Sequence, residues 1–317
     1  MTIRRLGLAS ALMALTVIAG CGGSDDETPE VNPAALSGVV SLDGSSTVGP
    51  FAEAAAELFE SEYPDVTVNV AQSGTGGGFE KFCNGETDIS NASRPISDEE
   101  AAACAANGVA YEQLTVANDA LTVMVHPDNP VDCLTVEQLK AIWEPGSTLT
   151  NWNEIPNLGV DFDQPIDLYG PGTDSGTFDY FTDAINGEEG AQREDYNNVG
   201  ENDNVGLQGV QGSVGGMFYA GFTYYNQNRD SVKALQIDAG NGCVAPSEET
   251  AQDGSYTPLS RGLFMYPSDA GLAKPQVLAF IEFVINENEA IAAGADAIPL
   301  TDAQKQDALA KLASLTN

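Results

Sequence analysis

Apolar residues recur along this chain in two alternating rhythms: short runs or every second position, then every third or fourth. Val39-Val40-Ser41-Leu42 predicts a strand. After the small polar loop Asp43 to Thr47, the residues Phe51, Ala54, Ala55, Leu58 and Phe59 fall at helical spacing, and Pro64 marks the end. Val66, Val68 and Val70 alternate as a second strand. A small-residue loop, Ser73 to Gly78, leads to a short predicted helix, Phe79 to Cys83. Asp88-Ile89-Ser90 predicts a short strand, and Ser97 with Glu100 matches a capping box that opens a helix. Leu121 to Val125 reads as a buried strand. Thr135 and Gln138 frame the start of a helix that carries Leu139, Ile142 and Trp143. Ile166 to Tyr169 predicts a strand, Gly170 to Ser175 a loop, and Phe178, Phe181 and Ile185 a helix. Val277 to Ile285 and Ala303 to Leu315 predict C-terminal helices. Strands alternating with helices imply α/β layers with largely parallel sheets, and no fixed-period repeat is present.

The N-terminus follows neither rhythm. Arg4 and Arg5 precede an apolar run, Leu6 to Ile18, of signal-peptide length and too short to span a bilayer comfortably. It ends in Ile18-Ala19-Gly20-Cys21, which resembles a bacterial lipobox. The expectation is a lipoprotein signal over residues 1–20, cleavage before Cys21, and lipid on the Cys21 thiol. Residues 21–37 are polar and acidic, interrupted by Pro29 and Pro33, and read as a flexible tether. The product would be exported and held by lipid on the extracytoplasmic side of the membrane.

With 317 residues, of which 42% are hydrophobic, the chain is long enough for two ordinary domains. Its 12 Lys and Arg against 47 Asp and Glu give a formal charge of −35. That acidity speaks against nucleic acid and against anionic lipid surfaces as partners. It also repels small anions at long range, so an anion site here must act through short, desolvated contacts. Setting Cys21 aside leaves Cys83, Cys104, Cys133 and Cys243. An even number in an exported chain suggests two disulfides, and four cysteines allow three pairings. Their spacing is not zinc-like, and His126 is the single histidine.

One junction recurs three times: strand, small-residue loop, helix. The loops are Gly44-Ser45-Ser46-Thr47, Ser73 to Gly78, and Thr173-Asp174-Ser175-Gly176-Thr177. A helix start carries backbone N–H groups without intrahelical partners, and the helix dipole adds positive character there. Glycine lets an anion approach the backbone, and hydroxyls add donors. In α/β sheets such loops gather at the carboxyl ends of strands. Three of them converging would suit one tetrahedral oxyanion. Arg94, in Asn91-Ala92-Ser93-Arg94-Pro95, is a cation in a cation-poor chain and a candidate clamp for the charge.

Enzyme readings fit these loops less well. Asp174-Ser175-Gly176 matches half of an aspartic-protease pair, and no second D-[ST]-G exists. Gly74 to Gly78 lacks the Gly-Lys-[Ser/Thr] of a P-loop. A Ser–His–Asp triad would have to use His126, and no G-x-S-x-G accompanies it. A hydrolase of phosphate esters would need a metal cluster or an activated nucleophile, and the sequence has no clustered Asp/His ligand pattern. The expectation is a binding protein without a cofactor, and not an enzyme.

The segments Gly44–Ala54, Ser73–Ile96, Cys133–Pro145, Leu168–Ile185 and Asp203–Val210, with Ser260–Phe264, occur in an order that resembles the PstS family. These are phosphate-binding components of ABC transporters with the type II periplasmic-binding-protein fold. The resemblance implies two α/β lobes, each with a mixed, mostly parallel sheet flanked by helices, and phosphate held in the cleft between them. Lobe 1 would comprise residues 38–118 and 255–317, and lobe 2 residues 119–254. The expected disulfides, one in each lobe, are Cys83–Cys104 and Cys133–Cys243. Carried over by motif, the ligand contacts would be Ser46, Thr47, Thr75, Gly76, Ser93, Arg94, Ser175, Gly176 and Thr177, with Arg94 supplying the full charge. The implied partners are inorganic phosphate and the transmembrane subunits of an ABC permease, with the binding protein itself a monomer.

The chain departs from the family pattern at two places. Where the best-known branch has Asp after the Ala-Ser of the third motif, this chain has Arg94. Where that branch has an Arg before Ser-Gly-Thr, it has Pro171. The departure bears on selectivity. A protonated phosphate donates a hydrogen bond to a carboxylate, whereas sulfate would leave that buried acceptor unpaired. Asp174 is the first candidate for the acceptor and Asp203 the second. The alternative ligands are other tetrahedral oxyanions, sulfate or arsenate.

Overall fold

The structure, a computed structural model, describes residues 36–173, 175–200 and 202–315. The expected signal peptide, Cys21, most of the tether and Asp174 lie outside the described residues. Strand β1 (Gly38–Gly44) leads into helix α1 (Gly49–Glu62), then β2 (Val66–Val70), α2 (Gly74–Cys83), β3 (Ile89–Ala92) and α3 (Asp98–Ala106). The long strand β4 (Leu114–Val125) follows, with β5 (Cys133–Thr135), α4 (Val136–Trp143), β6 (Asp167–Gly170), α5 (Gly176–Phe181) and β7 (Asn197–Asn198). Next come α6 (Asp203–Gly212), β8 (Gly216–Gly221), α7 (Phe222–Asn228), β9 (Lys233–Ala234), β10 (Gln236–Asp238), β11 (Cys243–Val244) and α8 (Glu248–Gln252). The last elements are β12 (Ser260–Pro267), α9 (Asp269–Leu272), α10 (Pro275–Asn286), α11 (Asn288–Gly294) and α12 (Asp302–Leu315).

Burial follows the apolar rhythm. Helix α1 turns Phe51, Ala52, Ala55, Ala56 and Phe59 inward, where Phe59 meets the edge of Phe280 from α10 at 5.3 Å. Each fully buried phenylalanine contributes about 2–3 kcal/mol of transfer free energy. Both expected capping boxes are present, Ser97 with Glu100 at α3 and Thr135 with Gln138 at α4.

Helix α2 starts earlier than the glycine-rich sequence predicts. It opens at Gly74, so Thr75 to Gly78 are helical and not a loop. Packing overrides the low helix propensity of glycine here. A Cβ at Gly78 would lie 2.4 Å from Gly44 Cα, so the helix rests directly on the end of β1.

Among the described residues the strands form a nine-stranded sheet, ordered β2-β1-β3-β12-β4-β8-β6-β7 with β9 on β4, and a three-stranded sheet, β11-β10-β5. The large sheet is mixed. β1 runs parallel to β2 and β3, and β6 parallel to β7 and β8, while β12 is antiparallel to β3 and β4, and β4 antiparallel to β8. Strand β4 changes partner midway: Leu114 to Ala120 pair with β12, and Leu121 to Val125 with β8.

Two large apolar cores lie on either side of that exchange. One gathers β1, β2, α1, α10 and the first half of β4, with Val40, Phe51, Phe59, Val116 and Phe280. The other gathers α4, β6, β8 and the second half of β4, with Leu121, Trp143, Trp152, Phe181 and Tyr219. Of the three possible cysteine pairings the structure has Cys83–Cys104 and Cys133–Cys243.

Candidate functional site

The end of β1 is pinned before it reaches the site. Gly44 has φ +146°, and a Cβ there would lie 2.0 Å from Asn91 O, so the turn into α1 requires glycine. The Ser45 N–H donates to Asn91 O at 2.9 Å, and the Thr47 N–H to Ser45 Oγ at 3.2 Å. Asp43 fixes the start of α2: its Oδ1 accepts from Ser73 N at 3.0 Å and Ser73 Oγ at 2.8 Å, and its Oδ2 pairs with Lys81. Burial pushes the Asp43 carboxyl up, but Lys81 and Ser73 outweigh it and hold it below the usual carboxylate range.

Neither α1 nor α2 is capped by a side chain, in contrast to α3 and α4. In α1 most first-turn donors are already used, since the Gly49 N–H donates to Ser45 O at 3.0 Å, the Ala52 N–H to Val48 O at 2.9 Å, and Pro50 has none, so the start of α2 is left to supply open backbone donors. Both starts face one cleft of about 770 Å³, lined by Ser45, Ser46, Thr47, Ser73, Gly74, Thr75, Gly76 and Gly77 from these two junctions. Ser93 and Arg94 line it from the end of β3, and Gly176, Asp179 and Tyr180 from α5. Thr75 Oγ1 and Ser93 Oγ are 3.2 Å apart, so the second and third motifs touch. The first motif and α5 nearly touch as well: a Cβ on Gly176 would sit 3.1 Å from Thr47 Oγ1.

Seven of the nine expected contact residues thus share one cleft: Ser46, Thr47, Thr75, Gly76, Ser93, Arg94 and Gly176. Ser175 is buried and caps α5, its Oγ accepting from Thr177 N at 3.3 Å. Ser175 and Thr177 stand beside the cleft lining and are not part of it. Asp203 is the first residue of α6 and does not line the cleft either. His126 Nδ1 accepts from the Asp128 N–H at 3.0 Å, away from these residues, which leaves no triad with Ser175. Among the described residues no group of three or more His, Cys, Asp or Glu is placed to hold a metal.

Charge in the cleft differs from the expectation. Arg94 grips Glu100 with both terminal nitrogens, each at 2.8 Å, and its side chain is 46% exposed. A second arginine, which sequence reasoning did not assign, lines the cleft from β12. Arg261 donates from Nη2 to Thr47 Oγ1 at 3.0 Å and from Nε to Asp119 Oδ2 at 3.2 Å. Its guanidinium lies 3.6 Å from the centre of the Tyr180 ring. Burial pushes the Tyr180 hydroxyl up, so it stays protonated and donates to Pro258 O at 2.9 Å. Asp179, Asp183 and Glu189 line the same cleft. Burial and the nearby Glu189 raise the Asp179 carboxyl, and Arg261 works against them. The signal for Arg261 was in the sequence: the Ser260–Phe264 segment had been singled out, without a role for its arginine.

The cleft brings together the uncapped start of α2, several hydroxyls, an arginine and carboxylates. It can hold an oxyanion and accept a proton from it.

Comparison with known proteins agrees with this chemistry. The PBP superfamily domain matches residues 29–288. Protein SphX of Synechococcus elongatus is 42% identical over 269 residues, covering 83% of this chain and 77% of SphX. The phosphate-binding protein PstS of Staphylococcus saprophyticus is 37% identical over 302 residues, covering 94% of this chain and 91% of that protein. A crystal structure of a possible phosphate binding protein from Planctomyces limnophilus superposes with a TM-score of 0.83 at 41% identity. It covers 89% of this chain and 100% of that one.

Proposed function

The chain belongs to the PBP superfamily and within it to the PstS family of phosphate-binding proteins, and we propose that it captures inorganic phosphate in the cleft between its two cores and delivers it to an ABC importer. The fold is the two-lobed type II periplasmic-binding-protein fold. The observation that carries the reading is the convergence of Thr47, Thr75, Ser93 and Gly176, from four separate junctions, on one cleft with Arg261 bonded to Thr47. Backbone N–H groups at the start of α2 and the hydroxyls donate, and an arginine supplies charge. Ser175 and Thr177, adjacent to Gly176, complete the set when the walls close. The two cores act as lobes, and β4 and β12, which run between them, carry the closing motion. A monomer suffices, since both walls of the cleft come from one chain. The protein binds and releases its ligand unchanged; it is not an enzyme.

Selectivity over sulfate needs a carboxylate that accepts the phosphate proton. The segment around the start of α5 supplies two, Asp174 before Ser175 and Asp179 in the cleft lining. Replacing the acceptor by asparagine lowers the phosphate-to-sulfate affinity ratio by about tenfold or more. If neither Asp174→Asn nor Asp179→Asn moves the ratio, the acceptor lies elsewhere. The lobe boundary at about residue 118 and the lipid anchor at Cys21 belong to the same reading. Cys21→Ser shifts the protein from the membrane to the soluble fraction.

The deciding experiment is calorimetric titration of the purified, ligand-stripped protein with phosphate and then sulfate. One-to-one uptake of phosphate with sulfate inert is the expected result. Uptake of both removes phosphate selectivity and keeps oxyanion binding, and uptake of neither overturns the assignment.

A further inference from the structure

We infer that Arg261, rather than Arg94, presents the full positive charge to the bound anion and aims the Thr47 hydroxyl at it; this rests on the anion-binding reading of the cleft.

Arg94 is already neutralised. Its two terminal nitrogens hold both oxygens of Glu100 at 2.8 Å, and Nη1 also donates to Pro95 O at 3.1 Å. Glu100 is itself fixed, because it accepts the Ser97 N–H at 2.8 Å as the third residue of the α3 capping box. Burial pushes the Glu100 carboxyl up, and Arg94 with Ser97 more than reverse this, so the pair is ionised and closed on itself. Moving Arg94 onto a ligand would strip a bidentate pair from a carboxylate that cannot follow.

Arg261 is held differently. In the β4–β12 ladder it stands opposite Asp119, which takes Nε through a single bond of 3.2 Å. Its other two contacts are uncharged: the Tyr180 ring beneath it and Thr47 Oγ1. Its side chain is only 18% exposed, so its field is poorly screened by water. Nε and Nη2 are used by Asp119 and Thr47, which leaves the Nη1 edge for a ligand in the cleft that Arg261 lines. Thr47 Oγ1 accepts from Arg261, so its own proton must point to another acceptor. Polarised by the arginine, that hydroxyl is a stronger donor. Thr47 adjoins Val48 of the first core and Tyr180 belongs to the second, so Arg261, touching both, bridges the two sides of the cleft.

The test compares phosphate titrations of the full-length protein with Arg261→Met, Arg261→Lys, Arg94→Met and Thr47→Val, at pH 5.5 and pH 8, with thermal unfolding to verify each fold. Arg261→Met weakens binding on the order of 100-fold and more than Arg94→Met does. Arg261→Lys recovers part of that loss, and Thr47→Val costs about tenfold. A structural role would weaken both ionic forms of phosphate alike. Loss of a cation in the site weakens the dianion more than the monoanion, so the pH 8 to pH 5.5 affinity ratio falls in Arg261→Met. An Arg94→Met loss equal to or larger than that of Arg261→Met, or an unchanged pH ratio, overturns the inference and leaves phosphate binding standing. Failure of the unaltered protein to bind phosphate overturns both.

Discussion

A Cβ at Gly176 would lie 3.1 Å from Thr47 Oγ1 and 3.4 Å from Ser46 Oγ, the ends of two side chains that can rotate away. Gly176→Ala therefore folds but displaces two donors, and calorimetry should show phosphate affinity falling several-fold to tenfold. A Cβ at Gly78 meets backbone, Gly44 Cα at 2.4 Å, which cannot give way. Gly78→Ala should cost about 3 kcal/mol in denaturant unfolding. Asp43 is legible as part of the first loop, yet its partners Ser73 and Lys81 lie 30 and 38 residues away, and only the fold shows why it is acidic. Asp43→Asn should cost about 2 kcal/mol at neutral pH. Because the folded carboxyl is held below its unfolded value, the stabilisation is present above about pH 4. It is lost as pH falls through the folded value, so the gap between wild type and variant narrows in acid. Arg261 has no role that sequence alone assigns: it lies 214 positions from Thr47, and the register of β12 on β4 sets it opposite Asp119, while only the packing of the whole fold brings it to Thr47.

At the level of elements, what could be read in advance was what is decided locally. Ser97 and Thr135 sit three residues before Glu100 and Gln138, and that spacing is enough to close a capping box. Thr135→Ala removes the acceptor for the Gln138 N–H, now at 3.1 Å. It should lower stability by about 1 kcal/mol while phosphate affinity is unchanged, since Thr135 is not part of the cleft lining. What depends on distant packing was misread. The start of α2 looked like a loop because its glycines favour one in isolation. Only half of β4 was visible, since Thr115, Asn118 and Asp119 break the apolar run of its first half. Asn118 is buried there because its Nδ2 donates to Pro299 O at 3.0 Å and its amide oxygen accepts from Gln304 at 2.9 Å. Those partners come from the C-terminal segment, which no local pattern links to β4.

At the scale of the whole molecule, alternation of strands and helices gave the α/β class but overstated the parallel share of the sheet. The two strands that join the cores, β4 and β12, are antiparallel to each other. Antiparallel crossing suits a joint between two cores, because each strand passes once from one to the other and the two are tied by the Asp119–Arg261 pair, whose arginine lines the cleft. The net charge of −35 sets a condition on how any anion reaches that point. At about 0.01 M ionic strength the screening length is about 30 Å, comparable with the protein, and the acidic coat opposes the approach of phosphate. At about 0.15 M it shrinks to about 8 Å, and only the charges near the cleft are felt. Once bound, phosphate is held by short contacts that salt screens little. Rapid mixing with radiolabelled phosphate should therefore show an association rate that rises several-fold between these ionic strengths, with a much smaller change in dissociation. An association rate that instead falls with salt would mean that the field at the cleft mouth is set by Arg261 and Arg94 and that the acidic coat does not reach it.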